Sequence, residues 1–173
     1  MHRATTLLLL LLTMQLGTAQ NETVIAMKSK VYELTQQVGK DGNLGLQLYK
    51  DNMVTLELLK QAAASPELLM SIKHRDVIDA LTRTQYAQVL LEDYQGIIKE
   101  AQSKNIHWKK IKYIDFLIKS RASFKLGQPG FEGLLLFEDS TQKGKLFTLK
   151  VDFLMLGTEP FIFEMNDLKV TKR

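Results

Sequence analysis

The chain has 173 residues, of which 45% are hydrophobic and 24% charged, and it contains no cysteine. This composition is typical of a globular protein, and the length favours a single domain. The missing cysteines exclude a disulfide framework, thiolate metal ligands, cysteine nucleophiles and a lipid-modified cysteine. The formal net charge of +4 is too small to indicate a nucleic-acid-binding protein, which needs a clustered basic face.

The N-terminal segment from Met1 to Ala19 follows the pattern of a secretory signal peptide. Arg3 precedes an apolar run from Leu7 to Leu12, and Gly17-Thr18-Ala19 supplies the small residues that signal peptidases accept. The apolar run is far shorter than the roughly 20 residues that a membrane-spanning helix needs. We therefore expect cleavage after Ala19, a secreted or periplasmic location, no membrane span after cleavage, and one domain over residues 20–173.

The first half of that domain, residues 20–104, has helical periodicity. The first helix is predicted to be broken by Gly39 and the KDGN run from Lys40 to Asn43, because glycine suits the left-handed cap position. Its apolar side repeats every three or four residues: Val24, Met27, Val31, Leu34 and Val38. Strong helix formers continue from Leu44 to Ala64, with Leu48, Val54, Leu58 and Leu59 as expected core residues. Leu44, Leu46 and Leu48 also alternate, which fits a short strand equally well.

Two further helices are predicted before residue 104. Ser65-Pro66-Glu67 carries a capping serine, a proline suited to the first helical position and an acidic residue, so a helix should run from Pro66 toward Thr82. The segment from Tyr86 to Ala101 is the clearest amphipathic helix of the chain. Its apolar side is formed by Tyr86, Val89, Leu90, Tyr94, Ile97, Ile98 and Ala101.

After Asn105 the period changes to the alternation of β-strands. Alternating apolar residues occur around Ile114–Ile118, Phe131–Phe137, Phe147–Met155 and Phe161–Val170, separated by segments with turn chemistry (GQPG, EDSTQKGK and GTEP). The order of elements predicts an α+β fold, with N-terminal helices packed on one face of a four-stranded antiparallel meander sheet. The covered face should carry Leu149, Val151, Phe153 and Met155, and Lys150 and Asp152 should face water.

The junction from Asn105 to Phe116, NIHWKKIKYIDF, and the strands after it resemble a group of small uncharacterised secreted bacterial proteins. In that group an amphipathic helix ends in a similar junction before a strand with an acidic-aromatic pair. His107 departs from the group, in which an acidic residue is more usual. More distantly, helices on a curved antiparallel sheet resemble the cystatin-like and NTF2-like folds, which host enzymes and binding modules alike.

The sequence lacks the motifs of the common catalytic and metal sites. There is no HExxH, no GxSxG and no glycine-rich phosphate loop after a strand, and His2, His74 and His107 are the only histidines. We therefore expect neither a metal nor a cofactor. Asn21-Glu22-Thr23 matches a glycosylation acceptor, a short pattern that matters only in a eukaryotic secretory pathway.

Two carboxylates and a tyrosine are the candidate catalytic residues. Asp115 and Asp152 each lie between apolar residues of a predicted strand, so that a desolvated carboxylate there would suit a general base, with Tyr113 as a proton donor. The alternative is that both carboxylates lie on the solvated face of the sheet and only mark its alternation.

The candidate binding residues surround the only tryptophan. Trp108 and His107 are adjacent to Lys109 and Lys110, a combination that suits an anion or a polymer. A more ordinary interpretation is that Trp108 anchors the junction near Ile97 and Ala101 while the lysines form a solvated edge.

Taken as a whole, the sequence favours an exported non-enzymatic domain that binds a ligand or partner between its helices and its sheet, or that has a structural role in the cell envelope. The partner would be a small ligand or an envelope protein, and not nucleic acid. The alternative is a small-pocket NTF2-like enzyme that uses Asp115 or Asp152 as a general base.

Overall fold

The structure is a computed structural model that describes the backbone of residues 2–65, 72–123, 129–157 and 159–172. Side chains are described for residues 22–65, 72–73, 75–119, 130–157 and 159–171. In these ranges the helices come first along the chain: α1 (His2–Asp41), α2 (Leu46–Asn52), α3 (Leu56–Ala64), α4 (Ile72–Ala80), α5 (Arg83–Ser103) and a 3₁₀ turn (Trp108–Lys110). The predicted helix start at Pro66 lies outside the described residues.

Four strands follow and form one antiparallel sheet in the order β1-β2-β3-β4: β1 (Ile111–Ser123), β2 (Pro129–Asp139), β3 (Lys145–Leu156) and β4 (Glu159–Lys172). Each strand pairs with the next one along the chain. The predicted α+β fold and the meander are therefore confirmed. Of the predicted GQPG turn between β1 and β2, residues 127 and 128 lie outside the described residues, and Pro129 and Gly130 begin β2.

Helix α1 buries the side that the sequence predicts and ends slightly later than expected. Met27, Val31, Leu34 and Val38 are all buried. Gly39 lies inside the helix, and the left-handed cap is Gly42, whose φ is +75° and whose N–H donates to the Val38 carbonyl at 2.9 Å. The helix therefore continues through Gly39 and ends within the predicted KDGN run, where Gly42 takes the left-handed conformation.

The segment from Leu44 to Ala64 forms two helices instead of one. Between α2 and α3 the chain is extended, and the Val54 N–H donates to the Ile162 carbonyl on the free edge of β4 at 2.7 Å. Thr55 then begins α3, since its side chain accepts a hydrogen bond from the Leu58 N–H at 3.2 Å. The alternative of a strand over Leu44–Leu48 is wrong, because α2 begins at Leu46.

Helix α5 covers the predicted amphipathic segment and extends it at both ends. Its start is fixed by a capping box, in which the Thr82 side chain accepts from the Gln85 N–H and the Gln85 side chain accepts from the Thr82 N–H. Leu90, Ile97 and Ala101 are buried. The helix is therefore anchored along the length that faces the core.

The main apolar core lies between the helices and one face of the sheet, the inner face. It joins residues of α1, α2 and α5 to Phe116 and to the inward side chains of β2, β3 and β4. The predicted inner-face residues of β3 are buried: Leu149, Val151, Phe153 and Met155. The covered face of the sheet was therefore predicted correctly.

A second apolar cluster lies where α3 and α4 meet the β3–β4 end of the sheet. It contains Val54, Leu59, Ala63, Ile78 and Leu154, with Phe161 and Phe163 packed against it. Leu154 has the opposite strand parity to Phe153, so β3 is covered on both faces near this end. In the part of the chain that the structure describes, no helix is long and apolar enough to cross a membrane.

Candidate ligand-binding groove

A surface groove of about 330 Å³ lies between α4, α5 and β4. Its described lining residues come from α3, the α4–α5 region and β4: Leu59, Val77, Ile78, Leu81, Tyr86, Val89, Leu90, Asp93, Phe163 and Glu164. We call this feature the α4–α5 groove. Its volume falls within the range of small-molecule sites, which is about 300–1,000 Å³.

Helical spacing explains why α5 supplies one wall of the groove. Tyr86, Val89, Leu90 and Asp93 are separated by three and four residues, so they lie along one side of the helix. Val77 on α4 and Val89 on α5 remain 54% and 45% exposed, respectively. Large apolar side chains therefore stay accessible on both sides of the groove.

β4 supplies the acidic end of the groove through an irregularity in the sheet. The register between β3 and β4 shifts between the pairs Asp152–Glu164 and Phe153–Ile162, so Phe163 is the extra residue of β4 at this shift. Such an extra residue bends a strand and redirects its side chains. Phe163 and Glu164, next to each other in the chain, both line the groove as a result.

Asp93 lies in an environment that disfavours its ionised form. Burial raises the pKa of its carboxyl, and the negative charges of Glu164 and Glu92 raise it further. No described residue forms an ion pair with Asp93. Desolvation and like charge act in the same direction here, a combination that occurs at many functional sites.

Two tyrosines lie beside this acidic end. The Tyr86 hydroxyl donates to the Val54 carbonyl, and burial followed by the charges of Asp93 and Glu57 raises its pKa to about 12. The fully buried Tyr49 hydroxyl has no hydrogen-bond partner among the described residues. Burial, followed by the charges of Asp93 and Glu164, raises the pKa of Tyr49 as well. The acidic end of the groove therefore lies against buried side chains of the core.

The candidate residues Asp115 and Tyr113 lie elsewhere, on the edge strand β1. Asp115 is paired with Lys28 of α1 at 2.8 Å, and this hydrogen bond, together with one from the Phe116 N–H, lowers its pKa. The Tyr113 ring packs edge-on against Tyr32 at 5.3 Å between centroids. A carboxylate with a lowered pKa is a weak general base, so the pair suits an anchor between α1 and β1 better than catalysis.

Asp152 is placed differently from the expectation. It is only 3% exposed, so the prediction that it faces water was wrong. One carboxylate oxygen lies 2.8 Å from the Lys150 ammonium, and the other has no hydrogen-bond partner among the described residues. The strand alternation correctly placed Asp152 opposite to Phe153, but its side chain is buried there beside Lys150, Glu132 and Glu164.

His107 and Trp108 serve the junction between α5 and β1. The buried Asp139, at the start of the β2–β3 turn, accepts hydrogen bonds from the His107 N–H at 2.9 Å and from the Thr141 hydroxyl at 2.7 Å. Burial opposes ionisation of Asp139, but these hydrogen bonds and others from Thr141 and His107 lower its pKa to about 2. Asp139 therefore holds the turn against the junction as a buried carboxylate.

Trp108 is half-buried and stacks on Phe137, with ring centroids 6.5 Å apart and an angle of 24° between the planes. With α1 residues such as Leu34 and Val38 it lines an apolar cavity of about 20 Å³ under α1. The residues that surround this cavity belong to α1, the α1–α2 loop and the sheet, whereas Ile97 and Ala101 were expected. The anchoring role of Trp108 is nevertheless the interpretation that its packing supports.

Lys109 and Lys110 are exposed beside Trp108. The aliphatic stem of Lys109 lies close to Gly42, and the Lys110 carbonyl accepts a hydrogen bond from the Ser140 N–H at 3.0 Å. Their side chains form no ion pair with a described residue. They extend from the edge of the junction into solvent, which agrees with a solvated lysine edge.

The structure thus brings His107 close to Trp108 and Asp115 close to Tyr113, but it leaves Asp152 apart from both pairs. Sequence reasoning missed Asp93, although its spacing from Val89 and Leu90 was a usable signal that it lies on the apolar side of α5. Among the described residues, no group of three or more histidine, aspartate or glutamate side chains is arranged to hold a metal ion.

No protein family model, no curated protein and no solved structure matches the chain.

Proposed function

We propose that the protein is a non-enzymatic binding domain and that the α4–α5 groove is its ligand site. The observation that carries this proposal is the groove itself, about 330 Å³ in volume, with apolar side chains on its walls and two carboxylates at one end. Ligand sites typically combine apolar walls with a few convergent polar groups. The exposed Val77 and Val89 also give a ligand apolar surface to cover.

The groove is a better candidate than the space between α1 and the sheet. The cavity in that space measures only about 20 Å³ and is lined almost entirely by apolar side chains. A space of this size holds no more than about one water molecule. The concavity under α1 is therefore filled by the core, and a ligand has to bind where α4 and α5 leave the surface open.

The alternative of an enzyme that uses Asp115 or Asp152 has less support. Neither residue lines the α4–α5 groove or the cavity under α1. Asp115 is ion-paired to Lys28, and Asp152 is buried against Lys150. A general base has to reach a substrate proton within hydrogen-bonding distance, directly or through one water molecule.

Binding is tested with the uncharged probe 4-phenylbutan-1-ol and methyl NMR spectra of the protein. The probe should shift the methyl signals of Val77, Ile78, Val89 and Leu90 in a saturable way. The methyl signals of Leu34 and Val38, under α1, are the internal control and should stay unchanged. Equal shifts throughout the protein, or no shift at millimolar probe concentrations, would contradict a ligand site in the groove.

We also propose that the domain is exported. The support is the sequence from Met1 to Ala19, which follows the pattern of a cleaved signal peptide. Mass spectrometry of the protein from its native source should find an N-terminus near Gln20. Finding the intact N-terminal segment on a soluble cytosolic form would contradict export.

A further inference from the structure

The charges that line the α4–α5 groove are all of one sign. Its described lining residues include two carboxylates, Asp93 and Glu164, and no lysine, arginine or histidine. The remaining lining residues are aliphatic side chains and the aromatic rings of Tyr86 and Phe163. A bound ligand would therefore meet negative charge at one end and apolar surface along the rest of its length.

The protein neutralises this negative charge only in part. Glu164 interacts with the ammonium of Lys150, which lies 2.8 Å from Asp152 and 3.6 Å from Glu132. One positive charge is thus shared among three carboxylates on this side of the sheet. Asp93 adds a fourth carboxylate, and it has no ion-pair partner among the described residues.

A positively charged ligand group would relieve this imbalance. Carboxylates at the edge of an apolar site attract a cation more strongly than they would in bulk water, because the surrounding protein screens the charges less. The faces of Tyr86 and Phe163 add a weaker attraction for a cation. An anionic group would meet repulsion from both carboxylates, and a neutral group would gain only the burial of apolar surface.

We propose that the α4–α5 groove selects small organic amines, with Asp93 and Glu164 facing the ammonium group and the apolar walls covering the rest of the ligand. This inference rests on the proposed function, since it names the class of ligand for the same groove. It requires the full charge of the amine at neutral pH, which aliphatic amines carry.

The test compares three probes of the same shape that differ only in charge: 4-phenylbutylamine, 4-phenylbutan-1-ol and 4-phenylbutanoate. Calorimetric titration at neutral pH should show the amine binding about tenfold more tightly than the alcohol, and the carboxylate binding most weakly. Asp93→Asn and Glu164→Gln should each reduce the preference for the amine. Binding of the alcohol should change much less than binding of the amine in both variants, so the ratio of the two affinities measures the contribution of charge.

Glu92→Gln is the matched control. Glu92 is an exposed residue next to Asp93 on α5, but it does not line the groove. This variant should keep most of the preference for the amine, although it changes the net charge by the same amount as Asp93→Asn. Lowering the pH through the raised pKa of Asp93 should weaken binding of the amine more than binding of the alcohol.

The possible outcomes separate the two proposals. Equal binding of the amine and the alcohol in the unmodified protein would overturn the inference and leave the groove as an apolar site. A preference for the amine that persists in the double variant Asp93→Asn/Glu164→Gln would also overturn it. Failure of all three probes to bind would overturn the proposed function and the inference together.

Discussion

Gly133 on β2 offers a sharp test of how tightly the core is packed. A Cβ atom added at this position would lie 2.1 Å from Phe116 Cζ and 2.5 and 2.8 Å from two further atoms of the same ring. Phe116 is fully buried and packs edge-on against Phe153, with ring centroids 5.7 Å apart. The Phe116 ring would have to move by about 1 Å or more, and the packed core leaves little room for such a shift.

We therefore expect Gly133→Ala to destabilise the protein by about 3 kcal/mol, at the upper end of the usual cost of overpacking a core. The free energy of unfolding is measured by urea denaturation with circular dichroism as the signal. Gly96→Ala is the control, because Gly96 lies inside α5 and an added Cβ would meet nothing within 4 Å. That change should stabilise the protein by about 0.5–1 kcal/mol.

A second substitution identifies why Gly133→Ala lowers the stability of the protein. If the added methyl group acts through the Phe116 ring, Phe116→Leu should make room for it. The double variant Gly133→Ala/Phe116→Leu should then be more stable than the sum of the single changes predicts, by at least about 1 kcal/mol. A loss of less than about 0.5 kcal/mol for Gly133→Ala alone would refute the close packing described here.

Three further predictions concern individual side chains. Trp108→Ala should lower the free energy of unfolding by about 3 kcal/mol. This is the lower end of the range for a buried aromatic residue, because Trp108 is only half-buried. An unchanged thermal midpoint would contradict its anchoring role. The pKa of Asp139 is about 2 in the folded state, below its unfolded value of 3.8. Its ionised carboxylate should therefore add about 2 kcal/mol to the free energy of unfolding above pH 4, and this stabilisation should be lost as the pH falls toward 2. Asp139→Asn should remove this loss of stability between pH 4 and pH 2, as measured by urea denaturation at a series of pH values. The same pH dependence of the free energy of unfolding in the variant would refute the role of Asp139. Tyr49→Phe should stabilise the protein by about 1 kcal/mol, because it removes a buried hydroxyl without a described partner, whereas Tyr86→Phe should cost about 1 kcal/mol for a lost hydrogen bond. Equal effects of the two changes, or a reversal of the two signs, would contradict the hydrogen-bond assignment.

The elements and the covered face of the sheet could be predicted because they depend on local periodicity. The three- and four-residue spacing of Met27, Val31 and Leu34 defines one side of a helix, wherever the remainder of the chain lies. The alternation of Leu149 and Val151 likewise identifies one face of β3. The change between these periods after Asn105 was sufficient to predict the α+β fold.

The features that were predicted wrongly from the sequence depend on contacts between distant parts of the chain. Val54 is extended because its N–H pairs with Ile162, more than 100 residues later, and no local pattern indicates that pairing. Asp152 is buried between its neighbours Glu132 and Glu164 on the adjacent strands β2 and β4, which lie far from it in the chain or across a turn. Strand parity predicted the side to which Asp152 points, but it does not predict what covers that side.

The groove could not be predicted from the sequence for the same reason. Its walls come from α3, α4, α5 and β4, and its acidic end depends on the register shift beside Phe163. Asp93 and Glu164 are 71 positions apart in the chain, so no short motif contains both residues. The buried Asp139 was missed similarly, since its partner His107 lies 32 residues away.

The central claim, that the α4–α5 groove is the ligand site, is tested most directly by blocking the groove. Val89 lines the groove, and Val89→Trp would place a large ring in it. Val170 on β4 does not line the groove, so Val170→Trp is the control. The two valines are similarly exposed, at 45% and 43%. Affinity for 4-phenylbutan-1-ol should fall at least about tenfold in Val89→Trp and stay unchanged in Val170→Trp. Equal affinity in the two variants would contradict the assignment of the site.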